Sequence, residues 1–126
     1  MRSIVYDTSV LIAADRSERR VWAEHRVRLE AGIVPLVPSP VVAQASRSPT
    51  QAQLRRLLRG CEVVAFNEAA AHAAGSLLGK TRTKDIVDAS VAVLSIERRA
   101  DVLSADADDI RRLLSAARAK VSILDV

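Results

Sequence analysis

A chain of 126 residues has room for one compact domain with its own core and hardly for two. A hydrophobic fraction of 49%, a charged fraction of 27% and only four Gly and four Pro exclude disorder, collagen and low complexity, while Tyr6, Trp22 and Phe66 are too few aromatics for base-stacking platforms. The formal charge of +4 and a pI near 10.0 permit a nucleic-acid or acidic-protein partner without selecting either.

Ser3 to Tyr6 reads as a first strand that stops at Asp7, where Thr8-Ser9 and the pattern Val10, Leu11, Ala14 open a helix. Asp7 is thereby placed at a strand's carboxyl end. A second helix is predicted over Glu18 to Ala31, with Val21, Trp22, His25 and Leu29 on one face and Gly32 as its stop. Strand two is Val34 to Val37. Ser39-Pro40 and Ser48-Pro49 each have the form of a helix cap followed by proline, predicting short helices over Val41 to Arg47 and Thr50 to Leu58, closed by Gly60. Glu62 to Phe66 is the third strand and Asn67 caps a helix running to about Leu78, with Gly79 as its end. Beyond the polar segment Lys80 to Lys84, a helix from about Ile86 to Arg98 is apolar on nearly every side and must be buried. Val102 to Ser104 (strand), Asp106 to Ala117 (helix) and Val121 to Leu124 (strand) complete the alternation. The implied fold class is α/β: a mostly parallel sheet of about five strands with helices on both faces, in one domain over residues 1 to 126.

The lone Cys61 forms no internal disulfide, and with His25 and His72 it is too little for a structural zinc site. No apolar run approaches the ~20 residues of a membrane span, and Met1 to Asp7 turns acidic too early for a signal peptide. A cytoplasmic location is the expectation.

Open parallel sheets bind ligands at the carboxyl ends of their strands. Asp7 follows strand one, Asp85 and Asp88 open the buried helix, and Asp106 follows Val102-Leu103-Ser104. Carboxylates gathered at that edge repel one another unless a divalent cation lies between them, and hard oxygen ligands select magnesium or manganese. Such an ion orients a phosphodiester, lowers the pKa of bound water and stabilises charge on the attacking and leaving oxygens. Each acid also has a bland reading. Asp85 with Asp88 fits an N-cap and its N3 partner, and Asp106, Asp108 and Asp109 fit a first helical turn; Asp7 fits a cap less well, since Thr8 or Ser9 would cap equally.

The order Asp7-Thr8-Ser9-Val10-Leu11-Ile12-Ala13, Asp88-Ala89-Ser90-Val91-Ala92, Val102-Leu103-Ser104-Ala105-Asp106 resembles a PIN domain and, at this length, the VapC-type toxins of bacterial toxin-antitoxin pairs. The resemblance covers essentially the whole chain. It implies a PIN-like three-layer fold and a Mg2+- or Mn2+-dependent endoribonuclease with Asp7, Asp88 and Asp106 as catalytic and metal-binding residues. It also implies a cognate antitoxin that holds the enzyme inactive, an RNA substrate, a homodimer, and a clamp for the antitoxin built from the Trp22 helix with the Val41 to Leu58 pair. One position departs from the family. Where a Glu is normal after strand two, the segment Pro38 to Arg47 offers Gln44, and no Asp or Glu occurs between Ala31 and Cys61. An amide oxygen ligates but brings no negative charge and no basicity. Gln44 and Asp85, one turn before Asp88, are therefore further candidate metal ligands.

Gly75-Ser76-Leu77-Leu78-Gly79-Lys80-Thr81 imitates a phosphate loop, but the glycine spacing is short and a helix pattern, not a strand, precedes it. Lys80, Arg82 and Lys84 are candidate RNA-binding residues on the approach to the acids, or an ordinary solvated loop, and Arg55, Arg56 and Arg59 would extend that approach. His25 and His72 read as structural and Cys61 as a small core residue, while Trp22 fits either core or an exposed patch. Two rivals remain: a degenerate PIN domain that has lost catalysis and only binds a partner, and a phospho-receiver domain. The second would need paired acids after strand one, an aspartate after strand three and a late lysine, none of which Asp7-Thr8, Phe66-Asn67 and Ser122-Ile123 supply.

Overall fold

Residues 3–126 are described by a computed structural model. Met1 and Arg2, the first residues of the stretch read against a signal peptide, lie outside them. The short β-branched and apolar runs form β1 (Ile4–Tyr6), β2 (Leu36–Pro38), β3 (Glu62–Val64), β4 (Asp101–Ser104) and β5 (Ile123–Asp125). The helices are α1 (Thr8–Asp15), α2 (Arg19–Glu30), α3 (Ser39–Ala45), α4 (Ala52–Arg59), α5 (Glu68–Thr81), α6 (Ile86–Arg98) and α7 (Asp108–Ala116). The strands make one fully parallel sheet in the order β3-β2-β1-β4-β5, an α/β fold as expected. A receiver-type order of 2-1-3-4-5 is excluded. The chain winds outward from β1 to β3 on one side and returns to the other side of β1 with β4. The strand order therefore reverses between β1 and β4, where Ile4, Val5 and Tyr6 lie beside Asp101, Val102 and Leu103.

Burial follows this plan. β1 is buried at every residue, and α6, which packs on β1, β2 and β4, buries Ala89 through Ser95 without interruption. Only its ends emerge, at Ile86 and Ile96. The two buried serines of α6 are satisfied locally: Ser90 donates to the carbonyl of Val87 and Ser95 to that of Ala100, so neither hydroxyl is buried unpaired. β3 and β5 are edge strands and largely exposed, which is why each is shorter or displaced from its predicted run.

Several boundaries differ for identifiable reasons. α5 passes through Gly79 and ends at Thr81, because buried Leu77 and half-buried Leu78 keep the last turn packed and Arg82, at φ 55°, supplies the left-handed cap. The Gly75 to Thr81 segment is therefore helix, with no phosphate loop. Ser39 does not cap α3; its hydroxyl accepts from the Phe66 amide at 3.1 Å, tying the start of α3 to the end of β3. Ser48-Pro49 precedes α4 by a turn that Gln51 closes, its amide accepting from Ser48 N at 2.9 Å and donating to Ala45 O at 3.0 Å and Asp15 Oδ2 at 3.1 Å. Among the described residues no helix is long and apolar enough to cross a membrane.

Candidate active site

The reversal of strand order between β1 and β4 opens a crevice beyond their carboxyl ends. Asp7 ends β1 and caps α1, 7% exposed. Its amide donates to Leu103 O at 3.2 Å, which pins it to β4. One carboxylate oxygen accepts from the amide of Ser9 at 2.9 Å and from the Ser9 hydroxyl, and the other accepts from the hydroxyl of Ser104. Burial pushes the Asp7 carboxyl above its ordinary range, and the hydrogen bonds from Ser104 and Ser9 hold the rise back.

The same two hydroxyls organise the neighbouring loop. Ser9 Oγ accepts from Ala105 N at 2.9 Å and Ser104 Oγ from Asp106 N at 3.1 Å, so the loop carrying Asp106 is tied to the residues that hold Asp7. Sequence reasoning passed over Ser9 and Ser104. Their signal was present: each is a small hydroxyl residue within a motif that carries an acid, at the mouth of a buried strand.

Opposite lies the start of α6. Asp85 is its N-cap and accepts from Asp88 N at 3.0 Å, so the capping geometry holds for that residue. Asp88 is half-buried, and its pKa rises to about 7, first through burial and then through the charges of Asp85, Asp109, Asp7 and Asp106. α3 supplies Gln44, whose Oε1 accepts from the Thr8 hydroxyl at 2.6 Å. Together these residues line a cleft of about 430 Å³, which gathers Asp7, Gln44, Asp85, Asp88 and Asp106 and adds Asp109. Arg47 is the one cation in the lining; its guanidinium donates to Ala43 O and Ser46 O. Lys80, Arg82 and Lys84 lie on the last turn of α5 and the segment after it, outside the lining, and Arg56 and Arg59 line a different pocket between α2 and α4.

Five carboxylates facing one guanidinium, with an amide and hydroxyl oxygens between them, form a hard-oxygen donor set suited to magnesium or manganese. Beyond the effect of burial, the neighbouring acids push Asp88 upward, a repulsion that a cation would relieve. Among the described residues no three acidic, His or Cys side chains close round a single point, so the donors line a cleft and do not form a finished cage.

The remaining candidates lie outside the cleft. His25 is buried and hydrogen-bonds Tyr6 at 2.8 Å; His72 is exposed and pairs with Glu68 at 3.2 Å. Cys61 is half-buried, its thiol pushed up to about 12 by burial. Trp22 packs half-buried on the core, its indole N–H donating to Ala14 O at 3.0 Å.

The PIN domain profile matches residues 4–114. No curated protein matches. The fold is shared with several solved chains. In VapBC2 from Rickettsia felis bound to a DNA fragment from their promoter, one chain aligns with a TM-score of 0.73 at 14% identity over 98% of both chains. In DNA-bound VapBC from Salmonella typhimurium the TM-score is 0.70 at 14% identity, over 99% of this chain and 98% of that one. In a toxin-antitoxin complex from Klebsiella pneumoniae it is 0.66 at 17% identity, over 85% and 89%. The profile match spans β1 through most of α7, and the chain belongs to the PIN domain family.

Proposed function

We propose that this PIN domain is a divalent-metal-dependent endoribonuclease, the toxin of a toxin-antitoxin pair. The observation that carries the reading is the convergence of Asp7, Asp88 and Asp106 on one cleft at the switch point of the sheet. Asp7, Asp88 and Asp106 would hold the ion, with Gln44 and Asp85 at its margin. When bound, magnesium or manganese supplies Lewis acidity toward the scissile phosphodiester and its attacking water. The chain's own part is positioning. Ser9 and Ser104 keep Asp7 oriented, and through the Ala105 and Asp106 amides they set the loop that carries the third acid. Lys80, Arg82 and Lys84, just before Asp85, would guide RNA toward the cleft without touching the ion.

Likeness to chains of toxin-antitoxin complexes supports a cognate antitoxin as partner. The chain would act as a homodimer, since an apolar groove between α5 and α6, lined by Ala69, Ala73, Val93 and Ile96, is open in the single chain. A second reading is favoured by one residue: Gln44 presents an amide, already engaged by Thr8, where the family has a carboxylate. In that reading catalysis is weak or lost and the domain serves to bind a partner. Cleavage of structured RNA with magnesium, with manganese and with chelator decides between them, and Asp7→Asn should abolish cleavage and severely weaken metal binding by calorimetry. Unchanged metal affinity in that variant overturns the site.

A further inference from the structure

A second pocket, about 630 Å³, opens between α2 and α4 and is lined by Trp22, His25, Arg26, Leu29, Arg56, Arg59 and Gly60 among others. Trp22 bonds Ala14, near the last turn of α1, whereas Asp7 caps its first. The eight residues of α1 span about 12 Å, so the pocket lies a helix length from the acidic cleft.

Its floor carries a polar atom without a partner. His25 is 3% exposed, and its Nδ1 meets Tyr6 Oη at 2.8 Å. Arg28, which can only donate, gives a hydrogen bond to the same Tyr6 oxygen at 3.1 Å. Tyr6 is wholly buried, so its single proton goes to the one acceptor beside it, His25 Nδ1. Burial and the charge of Arg28 lower the His25 pKa and keep the ring neutral. The ring proton therefore resides on Nε2. Among the described residues Nε2 has no hydrogen-bond partner, and none of their buried side-chain polar atoms is left both sealed and unpaired, so Nε2 is reached from the pocket. It faces Gly60, where an added Cβ would stand 3.1 Å from it. Glycine leaves that approach open.

The walls add uncompensated positive charge. Arg26 is paired with Glu30, but Arg59 has no ion pair among the described residues, and Arg56 stacks on the Trp22 ring at 4.7 Å with no carboxylate partner. No Asp or Glu occurs from Ala31 to Cys61, so α4 and its flanks offer no internal counter-charge. A buried N–H donor in a pocket that two guanidiniums without ion pairs also line offers the donors a carboxylate accepts from.

We propose that this pocket receives a carboxylate, the Asp or Glu side chain of a partner polypeptide, with one oxygen on His25 Nε2–H and the other facing Arg56 or Arg59. The proposal deepens the partner half of the function proposed above and rests on it. A side chain on a short methylene stem can pass the apolar walls of Trp22 and Leu29 to reach the donor. The backbone phosphates of an RNA strand would stay at the rim, and Arg56 already covers a face of Trp22 on which a base would stack.

The test follows the His25 ring signals by nitrogen-detected NMR on the full chain, titrated up to millimolar concentration. The probes are a capped peptide of alternating Leu and Glu, its Leu and Gln counterpart, inorganic phosphate and oligouridylate. The Glu peptide should shift the Nε2 signal saturably and the Gln peptide should not. Arg59→Ala, an exposed position, should weaken binding about tenfold, and Gly60→Ala, which fills the floor, should do the same with the fold verified by its unchanged spectrum elsewhere. Equal binding of the Gln peptide, no shift with any probe, or phosphate or oligouridylate competing as well as the Glu peptide would each overturn the proposal. A parallel RNA cleavage assay separates the two readings. Intact cleavage without peptide binding removes only this inference, while peptide binding without cleavage removes only the nuclease.

Discussion

Replacing Ser104 by alanine deletes one hydroxyl at a wholly buried position and leaves an Asp7 oxygen without its only side-chain donor. The other Asp7 oxygen keeps the Ser9 amide and hydroxyl. A hydrogen bond to an ionised group contributes about 1.5–3 kcal/mol and one between neutral groups about 0.5–1.5 kcal/mol. The loss on mutation therefore depends on the charge of Asp7: about 2 kcal/mol when it is ionised and about 1 kcal/mol when it is protonated. The ionised form loses more, so the Asp7 carboxyl, already raised by burial, should rise further in the variant. The direction follows from linkage. A carboxyl whose folded pKa lies above its unfolded value destabilises the fold as pH climbs through that interval, and Ser104→Ala extends this fall to higher pH. Urea unfolding in chelator at about pH 4 and about pH 8 reads both numbers, with the larger penalty at the higher pH. Because Ser104 also accepts from Asp106 N, that amide should exchange faster with solvent in the variant. An equal penalty at both pH values, or no penalty at all, would refute the role given to this hydroxyl.

Gln44→Glu should add a negative charge at the rim of the cleft, tighten manganese binding and raise cleavage. Asp85→Asn should lower cleavage if Asp85 replaces the missing carboxylate, and cost only about 1 kcal/mol of stability if it merely caps α6; rates for the singles and the double mutant expose their coupling. Two silent single variants in an active enzyme would refute this account. Between about pH 4 and about pH 7 the metal-free protein should lose stability, because Asp88, raised to about 7 by burial and neighbouring acids, still holds a proton that the unfolded chain has shed, while magnesium or Asp88→Asn should flatten the slope. A flat profile in the metal-free wild type would show that neither burial nor the neighbouring acids raise Asp88. Light scattering on the free protein should report twice 13.6 kDa, and a clean monomer at micromolar concentration would remove the homodimer.

How far the fold was legible depended on how deeply each segment is buried. β1, β4 and α6 were readable because burial on all sides forces continuous apolar sequence, and Ile4 to Tyr6, Val102 and Leu103, and Ala89 to Leu94 have it. β3 and β5 are edges with exposed side chains, so their ends are set by pairing with β2 and β4 and leave little trace in composition. Helix ends misled wherever a single punctuating residue was read apart from its tertiary surroundings. Gly79 stayed helical because Leu77 is buried beside it, and Ser39 gave its hydroxyl to Phe66 and not to its own helix.

The acids of the cleft were legible individually because strand ends and helix starts are visible in sequence, and a parallel sheet brings such positions to one edge. Their relations were not. Nothing in local sequence says that the strand order reverses between β1 and β4, yet that reversal is what sets Asp7 beside the loop of Asp106. Capping by Asp85 does not take its charge out of the cleft. Its side chain caps α6 through the Asp88 amide, and its charge still raises the Asp88 pKa from within the same cleft. A cap holds its carboxylate at a fixed place near the helix start, and here that place is one turn from Asp88, so capping is what keeps the charge in range. Gln44 completes the logic from the other wall. Its oxygen is oriented by Thr8, the residue next to Asp7, so a glutamate at this position would present its charge on the same α3 face, beside a hydroxyl already able to donate to it. On the proposed reading a carboxylate at position 44 would face the acids of the cleft from α3, while Asp85 adds its charge to the same cleft from α6.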